Sequence, residues 1–272
     1  MNRLNKVCSA AREAKRKLLV PYLVAGDPDI ATTLTLMHEL VKQGADVIEL
    51  GFPFSDPASD GPVIQRAIER ALAAGTKLSD VLALVKRFRS SDPTTPVVLM
   101  GYLNPVEIMG YEKFADSAAD SGVDGVLIVD MPPGESAGLK TALRAQEIES
   151  IFLVAPTTTE KRTKAIVAQC SGYLYYVSLK GVTGAALSDE GAVGEKLSFL
   201  RQQTDLPIVI GFGIKDGASA KAMAMLADGI VIGSALVSQV ALLDPAAGIS
   251  DSQIADTTAI IRQAREVIDS IS

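Results

Sequence analysis

Two carboxylates in unlike surroundings can hold different protonation states at one pH, which is what acid–base chemistry on one substrate needs. The stretch Asp46–Pro62, D-V-I-E-L-G-F-P-F-S-D-P-A-S-D-G-P, carries such a pair. Glu49 interrupts a near-continuous apolar run of Val47, Ile48, Leu50 and Phe52. A carboxylate there is costly unless it is paired or neutralised. It is either half of a structural ion pair or an acid kept for proton transfer. Asp60 lies further on, in a polar loop with Ser55, Asp56 and Ser59. Gly61-Pro62 then opens a helix, since proline tolerates the first turn. Asp60 can cap that helix or act as the second acid. Asp56, in S-D-P, reads as turn chemistry.

A second group of residues suits an anion. G-V-T-G (Gly181–Gly184), G-F-G (Gly211–Gly213) and I-G-S (Ile232–Ser234) come late in the chain. Glycine lets backbone approach a phosphate, and the free N–H groups of a first helical turn point at it. Ser234-Ala235-Leu236-Val237 reads as that short helix. The donors are main-chain amides, so no lysine or arginine is required. The substrate expected is a phosphorylated metabolite with an apolar body. Lys180 reads as a solvated loop residue, since a Schiff-base lysine is usually desolvated. His38 is the single histidine and sits on an apolar-periodic stretch, so it reads as a packing or helix-surface residue. Without a cysteine cluster, a zinc site is not expected.

These residues need a frame. Strands are expected at Leu18–Val24, Val47–Phe52, Val97–Leu103, Gly125–Asp130, Ile151–Ala155, Tyr173–Leu179, Pro207–Phe212 and Gly229–Gly233. Helical spacing follows each one, and a polar helix, Asn2–Lys17, precedes them. Alternating strand and helix means a parallel sheet. Eight units predict a single-domain (β/α)8 TIM barrel: an N-terminal helix over 1–17, the barrel over 18–243 and a closing helix over 251–272. An open doubly wound sheet is the alternative, but no G-x-G-x-x-G follows the first strand. Side chains alternate along a strand, so Val47, Glu49 and Gly51 share one face and Ile48, Leu50 and Phe52 the other. The apolar trio suits the outer helices, and Glu49 then points into the barrel. Barrel active sites lie at the C-terminal strand ends, placing Glu49, Tyr102, Asp130, Gly184, Gly213 and Gly233 around one mouth.

The chain has 272 residues, 48% hydrophobic, with a formal net charge of −6. That suits one large core and disfavours nucleic acid. No membrane span or signal peptide is visible, and Cys8 and Cys170 stand alone. Both features fit a cytoplasmic protein.

The motifs P-Y-L-V-A-G-D-P (Pro21–Pro28), I-E-L-G-F-P-F-S-D-P-x-S-D-G-P (Ile48–Pro62), Y-L-N-P (Tyr102–Pro105), V-D-M-P-P (Val129–Pro133), F-L-V-A-P-T-T (Phe152–Thr158), Y-Y-V-S-x-x-G-V-T-G (Tyr175–Gly184), G-F-G-I and G-S-A-L-V are collinear. Together they closely resemble the tryptophan synthase alpha chain family. Ser59 departs from the family's usual alanine, and Leu179-Lys180 fill a variable pair. The resemblance implies a lyase that splits indole-3-glycerol phosphate into indole and glyceraldehyde 3-phosphate. It implies Glu49 as acid and then base, and Asp60 as the anion facing the indole nitrogen. The phosphate would meet the N–H groups of Gly184, Gly213, Gly233 and Ser234. Tyr22, Tyr102, Leu127, Tyr175 and Phe212 would line the indole pocket, with Thr183 closing over it and Tyr175 within reach of Glu49. Asp130 would be a structural acceptor. No metal or organic cofactor is implied for this chain. A pyridoxal-phosphate-bearing beta chain is implied as partner in an alpha2beta2 tetramer. The partner would meet the Pro53–Asp60 loop, residues 104–110 and residues 180–191. Other phosphosugar barrel enzymes want metal ligands or a central lysine at the strand ends. A non-catalytic activator of a beta chain and a stand-alone lyase remain as alternatives.

Overall fold

The computed structural model describes residues 2–177, 190–211 and 213–271. Eight strands close into one barrel in chain order, and every neighbouring pair is parallel. They are β1 (Leu18–Val24), β2 (Ile48–Gly51), β3 (Val97–Gly101), β4 (Gly125–Ile128), β5 (Glu149–Val154), β6 (Leu174–Val177), β7 (Ile208–Gly211) and β8 (Gly229–Ile232). The helices begin with α1 (Arg3–Glu13), α2 (Ile30–Lys42), α3 (Pro62–Ala73), α4 (Leu78–Arg89), α5 (Leu103–Met109) and α6 (Tyr111–Ser121). They continue with α7 (Ala137–Ala145), α8 (Glu160–Val167), α9 (Glu190–Arg201), α10 (Gly217–Leu226), α11 (Ser234–Val240) and α12 (Asp251–Asp269). The (β/α)8 barrel predicted from the alternation is therefore the fold.

The parity argument holds residue by residue. Ile48, Leu50 and Phe52 pack with Leu99, Ile210 and the inner faces of the helices. Val20, Tyr22, Val98, Leu127, Tyr173 and Val209 pack together as the barrel's own interior. A barrel this size is filled by side chains and is not a pore. Glu49 stands inside it, level with Tyr22 on β1 and Val98 on β3.

Helix boundaries follow local chemistry. Asp29 caps α2 by accepting from Thr32 N–H at 2.7 Å. Asp216 and Ser250 cap α10 and α12. The N-terminal helix ends at Glu13, short of the expected Lys17. Lys15 takes a left-handed φ of 54°, and Arg16 N–H closes back onto Ala11 C=O at 2.8 Å. The third strand also stops early, and Leu103 opens helix α5 despite Pro105. A proline in the first turn costs no intrahelical bond, and the Asp130 carboxylate accepts from Leu103 N–H at 2.8 Å. Asp130 is thus the structural acceptor expected. His38 packs on Phe88, ring centroids 4.8 Å apart, as a packing residue should.

The N-terminal end of the barrel is closed by α1, whose Leu4, Cys8 and Ala11 join the interior cluster. Asp124, buried just ahead of β4, ties this end together. Its carboxylate accepts from Arg3 Nη1 and Arg89 Nη2, each at 2.8 Å, and from Val97 N–H at 2.9 Å. One side chain thereby joins α1, α4 and β3. Removing one partner of a buried ion pair leaves an uncompensated charge and costs about 3–5 kcal/mol. Asp124→Ala should therefore lower unfolding free energy by about 3 kcal/mol in urea titrations; an unchanged midpoint would show that the cluster contributes nothing net.

Candidate active site

Glu49 is fully buried. Its Oε1 accepts a short hydrogen bond from the Tyr173 hydroxyl. Its Oε2 has no hydrogen-bond partner among the described residues. Burial disfavours the ionised form and pushes the carboxyl up to about 7, against the opposing Tyr173 hydrogen bond. No cation pairs with it in any described contact, so the ion-pair reading of this residue fails. What remains is a carboxyl that titrates near neutrality with one oxygen uncommitted. Tyr173, rather than Tyr175, is the hydroxyl that holds it. The sequence held a signal for this: Tyr173 and Tyr175 share strand parity, so both face inward. Tyr173 sits one step deeper, just ahead of β6.

Asp60 is half-buried on the β2–α3 loop. The cap of α3 is Gly61, without a side-chain bond, so Asp60 is not a helix cap. Its Oδ2 accepts from the Tyr102 hydroxyl at 2.6 Å. The same hydroxyl accepts from Ser59 N–H at 3.1 Å, and the Tyr102 ring lies 5.4 Å from that of Phe54. Asp60 C=O accepts from Gln65 Nε2 at 2.8 Å. Burial raises the Asp60 carboxyl above its ordinary value, while the Tyr102 hydrogen bond favours the anion. The bond between Tyr102 and Asp60 is a second feature that residue type alone did not reveal.

Tyr22 and Tyr175 complete the wall. A Cβ on Gly51 would stand 2.3 Å from the Tyr22 hydroxyl, and one on Gly211 only 1.9 Å from that of Tyr175. Two strand-end glycines thus make room for two inward tyrosines. Both phenols are held well above their ordinary value, by burial first and then by the charges of Glu49 and Asp60. Tyr22 is level with Glu49 on the neighbouring strand, and Tyr175 shares the same interior. Leu127 is fully buried on β4. Tyr22, Leu127 and Tyr175 thus belong to one interior, with Tyr102 at its rim.

The last two strands present main-chain donors. Gly213 follows β7 with φ 62°, exposed, with open space where a side chain would be. Gly233 precedes α11, and a Cβ placed on it would stand 3.8 Å from the Tyr22 side chain. No backbone carbonyl of the described residues accepts from the N–H of Gly213, Gly233 or Ser234. Gly184, Thr183, Phe212 and Lys180 lie outside the described residues. Among the described residues, no group of three or more His, Cys, Asp or Glu is placed to hold a metal ion.

Comparison with known proteins agrees with this geometry. The family model described as Tryptophan synthase alpha chain matches residues 8–266. A tryptophan synthase alpha chain of Marinobacter nauticus is 51% identical over 274 residues, covering 100% of both chains. One from Thioalkalivibrio sulfidiphilus is 56% identical, covering 91% of this chain and 94% of its own. Among solved structures, tryptophan synthase subunit alpha from Legionella pneumophila superposes with a TM-score of 0.91 at 41% identity, over 99% of each chain. Likeness this high and this continuous shows that the chain belongs to the tryptophan synthase alpha chain family, whose members cleave indole-3-glycerol phosphate in tryptophan biosynthesis.

Proposed function

We propose that Glu49 carries both proton transfers of the carbon–carbon cleavage, and that Asp60 steadies the charge that develops between them. Protonated Glu49 delivers its proton to indole C3, and the ring nitrogen becomes cationic. The Asp60 carboxylate, oriented by Tyr102, faces that nitrogen. Glu49, now ionised, takes the proton of the side-chain hydroxyl on the carbon bonded to C3. The C3–carbon bond breaks, its electron pair returns to the ring, and an aldehyde and indole result. One group that gives a proton and takes one back must titrate near the working pH. The observation that carries this reading is the buried Glu49 carboxyl, lifted to about 7 and left with one free oxygen.

The substrate's phosphate is assigned to the N–H groups of Gly213, Gly233 and Ser234, with Gly184 completing the cradle. Tyr22, Tyr102, Leu127, Tyr175 and Phe212 are assigned to the indole, with Thr183 above it. Since one carboxyl supplies both transfers, this chain is assigned no cofactor, and pyridoxal phosphate is left to a beta chain. Members of this family work with such a chain, and an alpha2beta2 assembly is proposed here. Ile108 on α5, 81% exposed, supports a contact there. A large apolar side chain held in water beside the mouth suits an interface. The Pro53–Asp60 loop would join that contact and link docking to the placement of Asp60.

Glu49→Gln should lower kcat for indole-3-glycerol phosphate by at least about 10²–10⁴-fold, with inorganic phosphate still bound; near-normal turnover would end the assignment. In the wild type, kcat/KM should fall about tenfold per pH unit above pH 7, because the free enzyme must hold the proton; a profile flat to pH 9 would contradict this.

Stability should follow the same proton. Glu49 has a folded value of about 7 against an ordinary 4.5, so between these values the folded state binds more protons than the unfolded one. Wild-type stability therefore drops, relative to Glu49→Gln, as pH rises from about 4.5 to 7. Between pH 4 and pH 8 the gap should shift by about 3 kcal/mol in the variant's favour, at roughly 1.36 kcal/mol per unit. Parallel denaturation curves from pH 4 to 8 with a constant gap would argue against a neutral Glu49.

Ile108→Asp should weaken association with a beta chain about tenfold or more, the scale of a lost interface anchor. Turnover by the isolated chain should be unchanged, and binding as tight as the wild type's would move the interface elsewhere.

A further inference from the structure

A cleft in the described structure lies at the end of the barrel opposite the two acids. It occupies about 400 Å³ at the N-terminal end, between α1 and the segment joining α9 to β7. That volume is within the range of small-molecule sites, roughly 300–1,000 Å³. Its floor is apolar, formed by Cys8, Ala11 and Leu18. Five cations line it: Arg12, Lys15, Arg16, Lys17 and Arg201. Asp205 and Asp228 line it as well, and Arg16 is met by Asp46 and Asp269 from outside the cleft. This is a concentration of positive charge on a chain whose net charge is −6.

Three of the cations have work in the fold. Arg16 pairs with Asp46, and Lys17 Nζ donates to Ala227 C=O at 2.8 Å. Arg201 Nη2 donates to Leu226 C=O at 2.9 Å and reaches Asp228 at 3.5 Å. Arg12 makes only a long bond to Asp205 C=O, at 3.4 Å. Among the described residues no partner is given for Lys15, which stands past the end of α1. Its left-handed backbone would be easier for glycine. Complementing the helix dipole explains a cation in the last turn, where Arg12 stands. Lys15 lies just beyond it, where its N–H closes onto Arg12 C=O at 3.1 Å and its side chain is exposed. Both side chains are exposed and border the same apolar floor, so one anion can meet the two together.

We propose that this cleft binds a small anion bearing a phosphate or diphosphate group, with Arg12 and Lys15 as its principal donors. An arginine fork and a lysine ammonium together satisfy the several oxygens of such a group. The site is separate from the mouth, where main-chain amides are the donors assigned to the substrate's phosphate.

The test is amide NMR of the full chain, titrated with inorganic pyrophosphate and, separately, with inorganic phosphate. Saturable shifts at residues 12–18 and 204–207 are expected. Tighter binding of pyrophosphate would identify a diphosphate-bearing ligand, and equal binding a single phosphate. In Arg12→Gln/Lys15→Gln the dissociation constant read at these amides should rise about tenfold for each cation removed, the scale of a charge-assisted hydrogen bond. KM for indole-3-glycerol phosphate should stay at the wild-type value, which also confirms that the variant is folded. Shifts confined to the mouth, at residues 213 and 233–236, would overturn the proposal, and so would equal affinity at residues 12–18 in wild type and variant.

Discussion

A carboxyl group inside a closed barrel, held at one oxygen by a phenol, governs everything around it. Moving Glu49 out of water disfavours its charge by far more than one hydrogen bond from Tyr173 returns, so the proton stays on near neutrality. Val20, Tyr22, Val98, Leu127 and Val209 pack in the same interior, and among the described residues no cation acts on Glu49. The barrel therefore does more than hold Glu49 in place. By excluding both water and counter-charge, it sets the pH at which that proton can move.

The second acid is handled in the opposite way. Asp60 lies on a loop, half-exposed, with the Tyr102 hydroxyl donating to it at 2.6 Å. Tyr102 itself stands where β3 gives way to α5, and Asp130 pins the first amide of that helix. The position of Asp60 is thus relayed from the frame through a phenol, not set by the strand that carries Glu49. A loop can shift while a strand cannot, so the docking proposed near α5 would have a physical route to Asp60 and little leverage on Glu49. The two ends of the barrel also divide their work. The C-terminal end holds the acids and the uncommitted amides. The N-terminal end is braced by ion pairs around Asp124 and Asp46, and it carries the cationic cleft.

Much of this was legible in the residues. The period of the apolar runs shows eight strands and their helices, and alternation alone turns Glu49 inward. Glycine at positions 213 and 233 marks strand ends whose amides meet no backbone carbonyl among the described residues. Element ends were less legible, because they depend on single bonds: Lys15 in a left-handed turn ended α1 early, and Asp130 allowed a helix where Y-L-N-P reads as a strand end. The identity of Glu49's partner was hidden for a related reason. Parity places Tyr173 and Tyr175 on one face, but depth along the barrel decides which hydroxyl reaches the carboxyl. Depth depends on stagger between strands far apart in sequence. The cationic cleft was invisible too, since α1 and the α9–β7 segment meet only when the barrel closes.

The protonation of Glu49 can be observed without turnover. Protein labelled with ¹³C at glutamate side-chain carboxyls, compared with Glu49→Gln, isolates one carboxyl resonance to be followed from pH 4 to 9. A midpoint near 7, moving upward in Tyr173→Phe as the hydrogen bond is lost, is the predicted result. A midpoint near the ordinary 4.5 would mean that the buried carboxyl is already an anion at neutral pH and cannot be the proton donor.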